Sequence, residues 1–239
     1  TTLNGEGLQH QDGHSHVIAE TVPNLKSYDP AFDYELLAII FDGIEKMFLQ
    51  KKNIFYYLTV YNQKYQMLEP PADNIGVDIN KGGYCLKQPE NKGNYIDTIN
   101  ILASGPMVLE ALAAESTLVK LGFSVNIFSI TSFNELYRNA LDAEQNEASS
   151  SHIDNLFGNQ NGIFIAITDY QKSVPLKIAK WLKEPLIALG TDGYGLSETL
   201  ENSRKYFNVD CNSIIKVTLS AAVKKGVLST QQAESFSQL

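Results

Sequence analysis

Residues 162–168 read GIFIAIT, an apolar run bounded by Gly162 and, one position on, Asp169. A half-exposed strand alternates apolar and polar side chains, so a continuous run of this length marks a strand covered on both faces, as parallel sheets are. PLIALG at 185–190 is a shorter run of the same kind, and DTINILA at 97–103 and SVNIFSI at 124–130 also read as strands. Helical signals fall between them. Pro106 opens a segment carrying Val108, Leu112 and Val119 that stops at Gly122, and Ser132 with Glu135 has capping-box spacing. Further helices are predicted at 172–182, 197–207, 211–225 and 229–237, the last started by Ser229 and Gln232. Strand and helix alternating with short apolar strands predict an α/β fold with a mostly parallel, doubly wound sheet.

Working outward toward the amino terminus, the rhythm changes. SYDPAFDYELLAIIFDGIEKMFLQ at 27–50 predicts a helix capped by Asp29 with Pro30 in its first position. Leu36, Ile40, Ile44 and Met47, flanked by Leu37, Phe41 and Phe48, are expected to form its buried face. NIFYYLTV at 53–60 predicts a strand. From Tyr61 to about Tyr95 prolines, glycines, Asn and Asp dominate, which reads as a linker with a short strand near GGYCL. Residues 1–28, rich in glycine and histidine, read as a long polar loop, and EASSSH at 147–152 as a short one. The expected organisation is the end of one α/β domain over 1–70, a linker over 71–94 with a boundary near Asn94, and a second domain over 95–239.

Composition removes several function classes. The 239 residues carry 19 Lys and Arg against 27 Asp and Glu, a net charge of −8 with no basic stripe, so nucleic acid is not an expected partner. Cys85 and Cys211 are solitary, which fits a reducing compartment, and cytoplasm is the expected location. No apolar run is long enough to span a bilayer, and the first residues lack the pattern of a secretory signal, so no membrane role is expected.

Three of the four histidines, His10, His14 and His16, lie within seven positions of the first loop. Asp12, His14 and His16 could meet at a metal if the segment were extended, but the spacing is unspecific and a structural role bonding loop backbone outweighs it. A histidine near neutrality is also suited to acid–base or substrate-binding work, and Glu6 lies four residues before His10. GTDGYGLSE at 190–198 follows a strand and precedes a helix, yet it matches neither G-x-G-x-x-G nor a P-loop and reads as a tight turn. No G-x-S-x-G elbow is present. Trp181 is expected to pack or dock, with Lys172, Lys177, Lys180 and Lys183 as solvated charges.

The ordered set TTLNGEGLQHQDGHSH, VPNLKSYDPAFDYE, TSFNEL, TDY and LGTDGYG closely resembles the C-terminal part of the homodimeric bacterial pyruvate dehydrogenase E1 component, of the transketolase-like thiamine diphosphate enzymes. The resemblance runs through the whole chain. It implies the end of a pyrimidine-binding middle domain followed by a transketolase C-terminal-like domain. It also implies a homodimeric enzyme that decarboxylates pyruvate and passes the acetyl unit to the lipoyl group of an E2 dihydrolipoamide acetyltransferase.

By that resemblance His10 is the catalytic and substrate-binding histidine of GEGLQH, and Glu6 its neighbour in the pocket wall. His14 and His16 shape the loop or the pocket edge. The segments that hold thiamine diphosphate and Mg2+, and the glutamate that activates the cofactor, have no counterpart here and are expected upstream of Thr1; the chain reads as a fragment, expected to be inactive alone. Gln145 and Asn146 replace an Arg-Trp pair. Asn62, Gln63, Lys64 and Tyr65 stand for the pattern NENY, and GLSETL at 195–200 for GRSDTR, so that Leu196 and Leu200 replace two arginines whose bidentate bonding leucine cannot imitate. A non-catalytic dimerisation or docking module, and an E1 for another 2-oxo acid, are the alternative readings.

Overall fold

The structure, a computed structural model, describes residues 2, 7–89, 93, 95–146 and 150–236. The predicted boundary at Asn94 and the candidate Glu6 lie outside the described residues. The amino-terminal part contains α1 (Ser15–Glu20), β1 (Leu25–Tyr28), α2 (Asp33–Ile44), which continues into a wider turn over Glu45–Leu49, and β2 (Phe55–Leu58). Next come α3 (Gly76–Lys81), β3 (Tyr84–Lys87), β4 (Thr98–Ala103), α4 (Met107–Lys120), β5 (Ser124–Ser129), α5 (Phe133–Gln145) and α6 (His152–Phe157). The chain then runs through β6 (Ile163–Ile167), α7 (Ser173–Leu176), β7 (Leu186–Leu189), α8 (Leu200–Phe207), α9 (Cys211–Lys224) and α10 (Thr230–Phe236).

β1 and β2 pair in parallel, and the larger sheet has the order β3-β5-β4-β6-β7. Its pairings β5-β4, β4-β6 and β6-β7 are parallel and β3-β5 is antiparallel, so the mostly parallel, doubly wound sheet expected from the apolar runs is what the chain builds. Side-chain alternation divides each central strand between two cores. Ile99, Ile101, Ile163 and Ile165 pack on Val108, Ala111, Ala114 and Leu118 of α4 and Ile214 and Leu219 of α9. Leu102, Phe128 and Phe164 face the opposite side, toward Leu136 of α5 and Ile153 and Phe157 of α6.

Several expectations are corrected. Residues 1–28 are not one loop: α1 is capped by Asp12, and β1 gains its ladder only from β2, a pairing that the sequence LKSY does not announce. α3 occupies part of the stretch read as linker, whereas the short strand expected near GGYCL is present as β3 and joins the larger sheet. α6 begins at His152, within the stretch read as a loop, with Ser151 and Asp154 capping each other. The segment predicted as one helix over 172–182 is α7 followed by a tight 3-10 turn, Ala179–Trp181.

α2 starts at Asp33, not at Pro30. Asp29 does not cap it, because its carboxylate is bonded elsewhere; the Glu35 side chain reaches back instead and accepts from the amides of Ala31 at 2.6 Å and Phe32 at 3.2 Å. The predicted buried face is also wrong. Glu35, Ile39 and Gly43 point inward, while Leu37, Ile40, Phe41, Ile44 and Phe48 are exposed, since the helix packs on one side only.

Candidate active-site cleft and the buried Asp29 network

Parallel strands expose useful polar groups just past their carboxyl ends, where the chain leaves the ladder and its backbone amides become free to bond. Asp29 follows β1, Thr59 and Tyr61 follow β2, Ser104 follows β4, and Thr168, Asp169 and Tyr170 follow β6. Both sheets therefore direct these ends at one another. A cleft of about 290 Å3 lies there, lined by Thr2, Gln11, Asp12, Tyr57–Tyr61, Asp169 and Tyr170.

Asp29 is the hub beneath it. Its Oδ1 accepts from Thr59 Oγ1 at 2.8 Å and from the Tyr61 hydroxyl at 2.5 Å, and its Oδ2 accepts from Ser104 Oγ at 2.8 Å. Its amide donates to Thr131 O at 2.7 Å and its carbonyl accepts from Gly105 N at 3.0 Å. Burial pushes the Asp29 carboxyl up to about 6, against the opposing effect of the Tyr61, Thr59 and Ser104 hydrogen bonds; the nearby Asp169 adds to the rise. Burial and the Asp29 charge likewise hold the Tyr61 hydroxyl well above its ordinary value, so it remains a donor.

The first-loop histidines diverge. His10 ends a short 3-10 turn, Leu8–His10, and is exposed, with the next residue, Gln11, in the cleft wall. His14 sits at the start of α1, where Asp12 Oδ1 accepts from the amides of His14 and Ser15, both at 3.0 Å. His16 is buried, edge-on to the Tyr170 ring at 4.5 Å, with Nε2 3.2 Å from Thr59 Oγ1. Because the Thr59 hydroxyl gives its proton to Asp29, it accepts from His16, which fixes the Nε2–H form of a neutral ring. Burial lowers the His16 pKa to about 4; Asp12 opposes this and Lys177 reinforces it. With the segment helical, Asp12, His14 and His16 do not converge, and among the described residues no three His, Cys, Asp or Glu side chains gather as a metal site.

Other sequence candidates change character in the fold. Lys177 is not a solvated charge: its side chain is buried against Glu20 and Asn134. Lys180, expected to be solvated, lies 4.3 Å over the Trp181 ring, whose indole donates to Glu144 at 2.8 Å and packs edge-on against Tyr137. GTDGYGLSE is an extended connection between β7 and α8, longer than a tight turn. Asp29, Thr59, Tyr61 and Ser104 were not singled out in the sequence as site residues. Their one signal is position: each is among the first polar residues after a strand.

Residues 82–210 match the family model described as the transketolase-like TK C-terminal domain, so the chain belongs to that family. Residues 1–68 match the pyruvate dehydrogenase E1 component middle domain. Among solved structures, transketolases from Pichia stipitis and Leishmania mexicana superpose with TM-scores of 0.68 and 0.67 at 18% and 15% identity, over 94% and 91% of this chain and 29% and 28% of theirs, which shows a shared fold.

Closer in sequence are proteins named pyruvate dehydrogenase E1 component. The one from Mycolicibacterium smegmatis is 36% identical over 99% of this chain and 27% of its own length. That from Pseudomonas aeruginosa is 37% identical over 95% of this chain and 26% of its own, as is that from Escherichia coli K12. The chain thus spans about a quarter of the length of the relatives it matches.

Proposed function

We propose that this chain is part of a thiamine-diphosphate-dependent pyruvate dehydrogenase E1 subunit. The observation that carries the reading is the order of the two family matches, a pyruvate dehydrogenase E1 middle domain followed by a transketolase-like C-terminal domain, with 36% identity sustained over 99% of the chain. On this reading the whole subunit is a homodimer that decarboxylates pyruvate and passes the acetyl unit to the lipoyl group of an E2 partner. Cytoplasm is its place, and no helix among the described residues is long and apolar enough to cross a membrane.

Thiamine diphosphate supplies the electron sink for decarboxylation in such enzymes, with Mg2+ holding its diphosphate. The described residues do not form a holder for that pair: no three metal-ligating side chains gather among them, and the cleft walls carry Asp12 and Asp169, which repel a diphosphate. On this reading the cofactor is held by other parts of the whole subunit.

What this chain contributes is His10. The imidazole is exposed on a short turn directly before the cleft-wall residue Gln11, which supports a role in hydrogen-bonding a substrate brought against this surface by another domain; Glu6, its neighbour by the resemblance, lies outside the described residues. The experiment is pyruvate decarboxylation, followed by reduction of an artificial electron acceptor, in the complete subunit with and without His10→Ala. Loss of turnover in the variant supports the assignment of His10; wild-type turnover removes it. A complete wild-type subunit inactive with pyruvate and thiamine diphosphate removes the reading as a whole.

A further inference from the structure

Two segments far apart in sequence, residues 62–64 and the start of α8 at Leu200, meet in space. Thr2, Asn62, Gln63, Lys64 and Leu200 line one cavity of about 320 Å3, which shares Thr2 with the cleft. Beside it lies Arg204, one turn beyond Leu200 on α8 and only 5% exposed. Its Nη1 donates to Glu110 Oε1 at 2.7 Å, and its Nη2 to Gln63 Oε1 at 3.0 Å and Thr2 Oγ1 at 3.5 Å. Glu110 is fully engaged, because its Oε2 accepts from the Cys211 amide at 2.8 Å. The buried Nε of Arg204 has no hydrogen-bond partner among the described residues.

These bonds determine what Gln63 presents to the cavity. A guanidinium only donates, so it draws the amide oxygen toward itself and leaves the amide NH2 as the remaining functional end. A glutamate here would offer a second acceptor oxygen and a negative charge instead. Lys64 adds an ammonium, Asn62 an amide and Thr2 a hydroxyl, and none of the described lining residues carries a carboxylate. The recess is donor-rich and its described lining carries one formal charge, that of the exposed Lys64; the Arg204–Glu110 pair beside it is neutral, and Asp169 on the cleft side is held by the Thr2 amide at 3.1 Å.

We propose that the recess between Lys64, Gln63 and Thr2, with the Arg204 guanidinium beside it, binds a small oxyanion, a carboxylate or a phosphate group. The proposal does not depend on the E1 reading. Charge-assisted bonds from Lys64 and the Gln63 amide supply the attraction, and Leu200 forms an apolar wall that leaves the anion to those donors.

The test is a chemical-shift titration of the isotopically labelled chain with inorganic phosphate and, separately, acetate, at constant ionic strength set by chloride. Saturable shifts confined to residues 62–64 and 200–204 are expected for at least one anion; phosphate alone identifies a phosphate site and acetate alone a carboxylate site. Lys64→Gln should weaken binding about tenfold, the loss of one charge-assisted bond, and Gln63→Glu should abolish it. Both variants should keep the wild-type circular dichroism spectrum. Shifts that never saturate, or that chloride reproduces, overturn the proposal, as does wild-type affinity in both variants.

Discussion

The Tyr61 hydroxyl donates to Asp29 Oδ1 at 2.5 Å, joining the segment after β2 to the residue after β1 directly beneath the cleft. Ser104, on the far sheet, bonds the other carboxylate oxygen at 2.8 Å and Thr168 Oγ1 at 3.0 Å. One carboxylate therefore ties together strand ends from both sheets, and its protonation state bears on the stability of the whole junction.

The first prediction concerns that group. A carboxyl raised to about 6 in the folded protein keeps its proton over a range in which the unfolded chain has lost it. Stability contributed by Asp29 is therefore greatest at low pH and falls by about 3 kcal/mol as pH rises from the ordinary carboxylate value to about 6. Asp29→Asn cannot ionise and should lack that slope. Urea midpoints of both proteins across the range would show the gap between them changing with pH; a constant gap refutes the prediction.

His16 should act in the opposite sense. Its folded pKa of about 4 lies below the ordinary value of 6.5, so the unfolded chain takes up the proton first. The stability it contributes is present above about 6.5 and is lost as pH falls toward 4, again by roughly 3 kcal/mol. The two groups offset each other over much of the same window. His16→Gln, which can still donate to Thr59, should therefore be less acid-sensitive than the wild type, and Asp29→Asn more so. Melting curves that respond to pH alike in both variants would count against this.

Gly105 has φ of 51°, and a Cβ there would stand 2.7 Å from Asp29 Oδ1 and 2.8 Å from Oδ2. Both the left-handed backbone and the buried carboxylate oppose a side chain. Gly105→Ala should lose about 2–4 kcal/mol in a denaturant titration. Loss of less than about 0.5 kcal/mol would mean that the junction adjusts freely.

His10 separates function from stability. Because it is exposed, His10→Ala should leave the unfolding midpoint within about 0.5 kcal/mol of wild type. In the complete subunit it should lower turnover by about 10²-fold or more, the usual range for a lost acid–base or hydrogen-bonding group. A parallel drop in stability would point to a structural role.

Phe41 and Phe48 are 65% and 70% exposed on the same helical segment, within an apolar surface that includes Ile40 and Ile44. Such a patch binds apolar dyes and promotes association. Phe41→Ser with Phe48→Ser should reduce dye fluorescence and light scattering with little change in unfolding midpoint. A large loss of stability would show that the rings support the core.

The apolar-rich stretches at 97–103, 124–130, 162–168 and 185–190 were sufficient to place the four parallel strands, because strands covered on both faces are mostly apolar; the buried Asn100 and Asn126 are accommodated by bonding Asn161 O and each other. Ser132 and Ser229 marked helix starts for an equally local reason, bonding amides within one turn. GEGLQH pointed to His10 as a candidate through resemblance alone. Local pattern had no hold on β1, whose ladder belongs to β2, nor on which face of the correctly expected helix α2 is buried, since its apolar residues are the same whether they face a core or solvent. Asp29 shows the difference most plainly. Beside Pro30 it carries every local mark of a helix cap, yet three hydroxyls from Thr59, Tyr61 and Ser104 converge on it from segments distant in sequence. A carboxylate is bound by the donors that packing brings within reach, and short-range sequence cannot name donors that arrive through the fold.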